Sequence, residues 1–229
     1  MSNKVNLIYL NKTNSFLDNI IKKKRAEMTN IINSFLEPHN VYDALDVGTT
    51  EESATNHSNY VINNLEKIKK FKSISNQKII DNFFSHTLTK SITSDFSNKE
   101  IENFKCDLVI SNATIEHVGD YENQLRMIEN MIKLSKKFIV ITTPLKSYPI
   151  EFHTLLPFLH WLPKKIYYKL LKLIGMKFFA DISVLNLIGN KEILNIKKKF
   201  DKVDFHIFYI KLFGIKSNII LIGKLRENL

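Results

Sequence analysis

The stretch Phe138-Ile139-Val140-Ile141-Thr142 constrains the fold more than any other part of the chain. It is apolar and rich in β-branched residues, without the polar alternation of a strand that faces water, so both of its faces must be covered. A second strand of this kind, Cys106-Asp107-Leu108-Val109-Ile110-Ser111, precedes it. Between them the spacing predicts a helix over 124–134 with Leu125, Ile128, Met131 and Ile132 inward. Strands alternating with helices imply a parallel, doubly wound sheet.

The flanking segments extend the pattern. The first forty residues read as helix. Phe16, Ile20 and Ile21 lie opposite a Lys22 to Arg25 cluster, then Met28, Ile31, Ile32 and Phe35 follow at helical spacing until Pro38. A strand over 44–48 ends in a polar loop over 49–59, a helical period follows over 60–68, and 71–75 is a short strand with a weaker one over 90–93. The tail, 203–210 and 217–223, reads as two strands joined by a glycine-containing turn, an antiparallel hairpin closing the sheet edge. Before it lies an insert, 147–177, holding Pro149, Pro157 and Pro163. After Pro163, Ile166, Leu170, Leu173 and Ile174 form one helical face and Lys165, Lys169 and Lys172 another, with Gly175 as the stop. The expected architecture is one domain over 1–229: a helical cap (1–40), a core (41–144), an insert or lid with further helices (145–200) and a closing hairpin (201–229).

Composition excludes several functions. The formal charge is +10, but Lys, Asn and Ile recur throughout, and no basic run is interleaved with aromatics as a nucleic-acid surface would be. The basic runs are read as solvated helix faces and no nucleic-acid partner is expected. The single cysteine, Cys106, rules out an internal disulfide or multi-cysteine metal site and fits a buried thiol in a reducing cytoplasm. Residues 1–14 lack a continuous signal-peptide core, and no strongly apolar stretch is long enough to span a bilayer.

In an open parallel sheet, ligands bind beyond the carboxyl ends of the strands. The polar residues expected there are Asp46, Gly48, Thr49 and Thr50, then Ser75 and Asn76, then Asp95, then Ser111, Asn112, Glu116 and His117, then Thr142 and Thr143. They include carboxylates and short hydroxyls but no nucleophile–base pair.

Three of these segments resemble one known family. Leu45-Asp46-Val47-Gly48-Thr49-Thr50 resembles the first motif of the S-adenosylmethionine-dependent methyltransferases of Rossmann-like fold. Phe104 to Val118, with Asp107, an apolar run and then Glu116-His117-Val118, resembles their fourth-strand signature. Phe138 to Pro144 shares the Thr-Pro ending of their fifth strand, and the insert from Pro149 to Pro163 is similar to that of a narrower bacterial subgroup, methyltransferase type 11-like. The resemblance implies a mostly parallel, doubly wound seven-stranded α/β sheet with a C-terminal antiparallel hairpin and a helical insert after the fifth strand. It also implies S-adenosylmethionine as cofactor. Gly48 and Thr49 would then lie at its methionine portion, Asp46 would order their loop near the sulfonium, Asn76 would stand at the ribose side, Asp95 would accept from the adenine amino group, and Ser111 and Asn112 would flank the methyl. The chain departs from the family in having one glycine in the first motif and no carboxylate after the second strand.

On the acceptor side, His117 and His153 are the candidate catalytic bases for a hydroxyl, with Glu151 nearby, while His160 beside Trp161 is expected to be structural. These histidines lack a recognisable ligand spacing, so no metal is expected. The implied activity is methylation, most simply O-methylation, of a small molecule or a glycan such as a lipid-linked sugar. A non-catalytic scaffold on the same fold is the alternative. The insert helix is expected to lid the acceptor cleft, burying Ile166, Leu170 and Ile174; a peripheral membrane contact through 164–175 would instead leave them exposed.

Overall fold

Helix α1 (Ser15–Leu36) leads into β1 (Asp43–Val47), a short helix α2 (Tyr60–Asn63), β2 (Lys70–Ser75) and β3 (His86–Thr89). Helix α3 (Asn98–Phe104), β4 (Cys106–Asn112), α4 (Tyr121–Leu134) and β5 (Ser135–Pro144) follow. The insert carries α5 (Lys164–Leu173), and α6 (Asn190–Lys199), β6 (Val203–Leu212) and β7 (Ile215–Leu225) complete the chain. This computed structural model describes residues 15–51 and 59–226, with side chains from Asn19 onward. The expectations for residues 1–14 and for the Phe16 side chain lie outside the described residues.

The seven strands form one sheet in the order β3-β2-β1-β4-β5-β7-β6. β1 to β5 are parallel, and β7 runs antiparallel between β5 and β6. Both faces are covered, as the β-branched runs demand. On one, Val109, Ile139 and Leu221 meet Ile128 and Met131 of α4 and Ile193 and Ile196 of α6. On the other, Leu108, Val140 and Ile220 meet Met28 and Ile32 of α1 and Val61 of α2. Leu108, Val109, Ile139 and Val140 have no exposed surface, so each side chain contributes the ~1.5–3 kcal/mol of full apolar burial.

Three expectations need correction. The third strand is His86–Thr89 rather than 90–93. His86 to Thr89 pair with Lys72 to Ser75, after which Ile92 turns into the core and Asn130 Nδ2 donates to the Ile92 and Ser94 carbonyls at 2.7 and 2.9 Å. Side-chain capping of that turn replaces the ladder. The helical period over 60–68 closes at Asn63, where the Asn64 and Leu65 amides turn to the Val61 and Ile62 carbonyls three residues back, and Lys67 then adopts positive φ before β2. In the insert, the buried residues of α5 are Tyr167 and Leu171, packed in a small cluster with Phe179, Ala180 and Leu185. Ile166 and Ile174 are about half exposed (49% and 52%), so the apolar stripe does not lie against the sheet.

Candidate active site

The loop after β1 is held from beneath. Gly48 N–H donates to the Ile74 carbonyl at 2.9 Å, continuing the ladder one residue past the strand. Its φ is +89°, and a Cβ at this position would overlap the Thr114 side chain. Only glycine accommodates both the conformation and the approach of the β4 loop. Below it, Ser73 Oγ donates to Thr49 Oγ1 at 2.7 Å and Thr49 Oγ1 donates to Asp46 Oδ2 at 2.6 Å. Ser75 Oγ donates to the Thr49 carbonyl at 2.7 Å. Asp46 is thus a buried anchor of the loop, and burial pushes its carboxyl up to about 6 against the Thr49 hydrogen bond. Asn59 Nδ2 donates to the Thr50 carbonyl at 2.9 Å, tying the loop's two ends together.

Asn76 and Asp95 are exposed, at the ends of β2 and the turn after β3. At the end of β4, Asn112 Oδ1 accepts from Thr142 Oγ1 of β5 at 2.5 Å, and the buried Ser111 Oγ has no hydrogen-bond partner among the described residues. Cys106 is buried at the opposite end of that strand, and its thiol is pushed up to about 12, first by burial and then by Asp43, so it is a core residue. The sequence-read cofactor residues therefore occupy the carboxyl ends of β1, β2 and β4 and the turn after β3. A groove of about 720 Å³ lined by α1 residues and Phe208 contains none of them.

The acceptor side brings together residues far apart in sequence. Ile115 to His117 form a single 3-10 turn after β4. Glu116 is fully buried; its Oε2 accepts from Thr143 Oγ1 at 2.9 Å, while Oε1 has no partner among the described residues. His117 Nδ1 lies 2.6 Å from the Val184 carbonyl, which fixes the proton on Nδ1 and the lone pair on Nε2. The insert delivers His153, whose Nδ1 is 2.6 Å from Glu151 Oε1, with the two imidazoles edge to face at 4.9 Å between centroids. Glu151 is buried and also accepts from the amides of His153 (2.8 Å) and Thr154 (2.6 Å).

The two rings are tuned in opposite directions. His117 keeps an edge open to solvent but sits in dense protein, and this desolvation lowers its pKa below 6.5 despite Glu116. Burial also opposes charge on His153, but the hydrogen bond and charge of Glu151, with Glu116 behind, outweigh it and hold the pKa above 6.5. Burial likewise opposes the Glu151 charge, and the ring and amide of His153 with the Thr154 side chain overcome it, lowering that pKa. His160 is structural, its buried Nε2 donating to the Tyr148 carbonyl at 2.8 Å.

Metal ligation was discounted on spacing, yet one ligand atom each of Glu116, His117 and His153 lie within 4.8 Å of one another. The linear spacing was uninformative because His153 arrives from a different strand connection. Sequence reasoning placed Glu116 and Thr143 at the strand ends but gave neither a role. Their signal was present in the Glu-His pair and the double threonine closing β5.

No family model matches the sequence, and no curated protein matches it. Solved structures do resemble it. The N-methyltransferase NodS from Bradyrhizobium japonicum WM9 aligns over 92% of this chain and 99% of its own at 10% identity and TM-score 0.53. Magnesium protoporphyrin IX methyltransferase (ChlM) from Synechocystis PCC 6803, with bound S-adenosylhomocysteine, aligns over 96% and 91% at 13% identity and TM-score 0.55. The plantazolicin methyltransferase BamL, crystallised with a desmethylplantazolicin analogue and S-adenosylhomocysteine, aligns over 90% and 86% at 9% identity and TM-score 0.53. The chain has the α/β fold of the S-adenosylmethionine-dependent methyltransferases, a mostly parallel seven-stranded sheet closed by antiparallel strands.

Proposed function

We propose that the protein is an S-adenosylmethionine-dependent methyltransferase acting on a hydroxyl of a small molecule or glycan. The carrying observation is the contact between two oppositely tuned histidines at the carboxyl end of the sheet, one with its pKa lowered by desolvation and one with its pKa raised by Glu151. Environments that push two neighbouring pKa values apart divide acid and base roles. Structural neighbours that carry bound S-adenosylhomocysteine support the cofactor. So does the placement of Gly48 just past β1 and of Ser111 near the carboxyl end of β4, the edge where open parallel sheets bind ligands.

When bound, the cofactor supplies an electrophilic methyl on a sulfonium. Gly48, Thr49, Asn76, Asp95, Ser111 and Asn112 are the residues that would hold it. His117 accepts the hydroxyl proton at Nε2, the lone pair that the Val184 contact leaves in place. His153, whose protonated form Glu151 favours, stabilises the developing negative charge on the acceptor oxygen. Most of the acceleration comes from holding the reactants in line. Calorimetry with S-adenosylhomocysteine tests this reading. A Kd below about 100 μM, roughly −5.5 kcal/mol, is expected; its absence from folded protein would favour the non-catalytic scaffold.

A second reading rests on Glu116 Oε1. One Glu116 carboxylate oxygen lies within 4.8 Å of a ring nitrogen of each histidine, and its buried Oε1 has no partner among the described residues; such a set suits a divalent cation that would lower the acceptor's pKa directly. Turnover abolished by a chelator and restored by added cation would select this reading over the two-histidine one.

A further inference from the structure

We propose that the outer face of the insert docks on the surface of a bilayer bearing anionic headgroups. Of the large apolar side chains exposed among the described residues, most lie between Ile150 and Phe178, a short part of the chain. On α5, Tyr167 and Leu171 face inward, so Ile166 and Leu173, two turns apart, share the outward side at 49% and 72% exposure. The 3-10 turns at Leu159–Trp161 and Lys177–Phe179 pack on α5, placing exposed Trp161 and Phe178 beside it. Soluble surfaces rarely gather apolar side chains in this way without an interaction to serve.

Charge selects the occupant. Lys165, Lys169 and Lys172 fall on one flank of the Ile166–Leu173 line and are exposed, with Lys177 beyond the helix end. The only acidic residue over 150–178 is Glu151, which is buried against His153. An apolar ridge with a mainly cationic border, broken by exposed Asp181 near Lys172, is the arrangement of an interfacial helix, with its apolar side at acyl-chain depth and ammonium groups among phosphates. No helix among the described residues is long and apolar enough to cross a membrane, so the contact is peripheral. The proposal stands on residues outside the proposed active site and does not depend on methyl transfer. If both hold, the insert that carries His153 also lies on the lipid surface, and a lipid-linked acceptor follows.

The chain's single tryptophan, Trp161, reports the contact directly. The full chain is mixed with vesicles of phosphatidylcholine, with or without phosphatidylglycerol, and followed by Trp161 emission and co-sedimentation. A blue shift and sedimentation are expected with anionic vesicles only, reversed by salt. The combined variant K165E/K169E/K172E is expected to bind about 100-fold more weakly or worse, since each basic residue contributes about 1 kcal/mol, or fivefold. The exposed pair I166S/L173S is expected to lose the blue shift while keeping the wild-type circular dichroism. Several results would overturn the proposal. They are no vesicle binding by folded wild type, binding that survives both variants, or a Trp161 shift that depends on protein concentration without vesicles, which would assign the patch to a second copy of the chain. Equal or tighter lysine-dependent binding to single-stranded nucleic acid would overturn it as well.

Discussion

The two ends of the sheet treat their polar side chains differently. At the amino ends of β1 and β4, Asp43 Oδ1 accepts from the Asp107 amide at 2.7 Å and Asp107 Oδ2 accepts from the Tyr42 amide at 2.9 Å. Lys136 and Lys137 stand 3.7 and 3.2 Å from these carboxylates. At the carboxyl ends, Ser111 Oγ and Glu116 Oε1 are buried without partners among the described residues, and the His117–His153 contact sets two titratable rings against each other. An unsatisfied buried polar atom costs about 1–3 kcal/mol; the others among the described residues, His160 Nδ1 and the Tyr167 hydroxyl, lie in the insert after β5, and none lies at the amino ends of β1 and β4. The paired end holds the strands in register, while the carboxyl end leaves buried polar groups unpaired beneath the proposed ligand site.

The largest test of this contrast is Gly48→Val. It forces a β-branched residue to φ +89° and drives a Cβ into Thr114. Backbone strain and overpacking, about 1–3 kcal/mol each, should together destabilise the fold by about 4 kcal/mol in urea and abolish S-adenosylhomocysteine binding. Undiminished affinity would remove this loop from the cofactor site.

Asp46 comes next. Its folded carboxyl titrates near 6 against 3.8, so the folded state binds the proton more tightly and loses stability as pH rises from about 4 through 6. The loss is about 3 kcal/mol. Asp46→Asn should flatten this slope in denaturation at a series of pH values; an unchanged slope would show that the buried network does not tune the carboxyl.

His117→Ala should reduce turnover about 100-fold, as for loss of a general base, with S-adenosylhomocysteine affinity retained. The pH profile of turnover should be bell-shaped. The acid limb falls below 6.5, where His117 gains its proton, and the alkaline limb falls above 6.5, where His153 loses the one Glu151 retains. Glu151→Gln should draw the alkaline limb down toward 6.5; a limb that stays in place would exclude His153 as its source.

At the opposite end the effects should be smaller and purely structural. Asp107→Ala leaves the Tyr42 amide without its acceptor and should cost about 2 kcal/mol, and Lys137→Ala less than about 1 kcal/mol for a partly exposed pair. Neither should alter turnover per folded molecule. A catalytic defect in either would break the division between the two ends.

Much of the fold was legible in the chain. Apolar runs without alternation, as in β4 and β5, have one stable solution, a sheet covered on both faces. The helix over 98–104 went unread although Ser97 and Glu100 form a capping box, with Ser97 N–H donating to Glu100 at 2.7 Å. That signal is local and was available. The third strand was misplaced because His86, Thr87, Leu88 and Thr89 have weak hydropathy and owe their strand state to pairing with β2. The stripe on α5 was identified correctly as apolar, but periodicity does not say which of two apolar sides meets the protein.

The sequence by itself determined the βαβ layering, the glycine after β1 and the cluster of polar residues at the strand ends, because backbone sterics and side-chain burial act over a few neighbouring residues. Tertiary structure alone decided that Asp46 is an internal anchor, that Glu116 leans on Thr143, and that His153 meets His117 from the other side of β5. Those pairings span 27 residues for Glu116 and Thr143 and more for the two histidines, while Asp46 is only three residues from Thr49 but depends on the burial that β2 supplies. Partners and desolvation of this kind exist only after the chain has packed, and they decide which of several plausible histidines carries a proton and which gives it up.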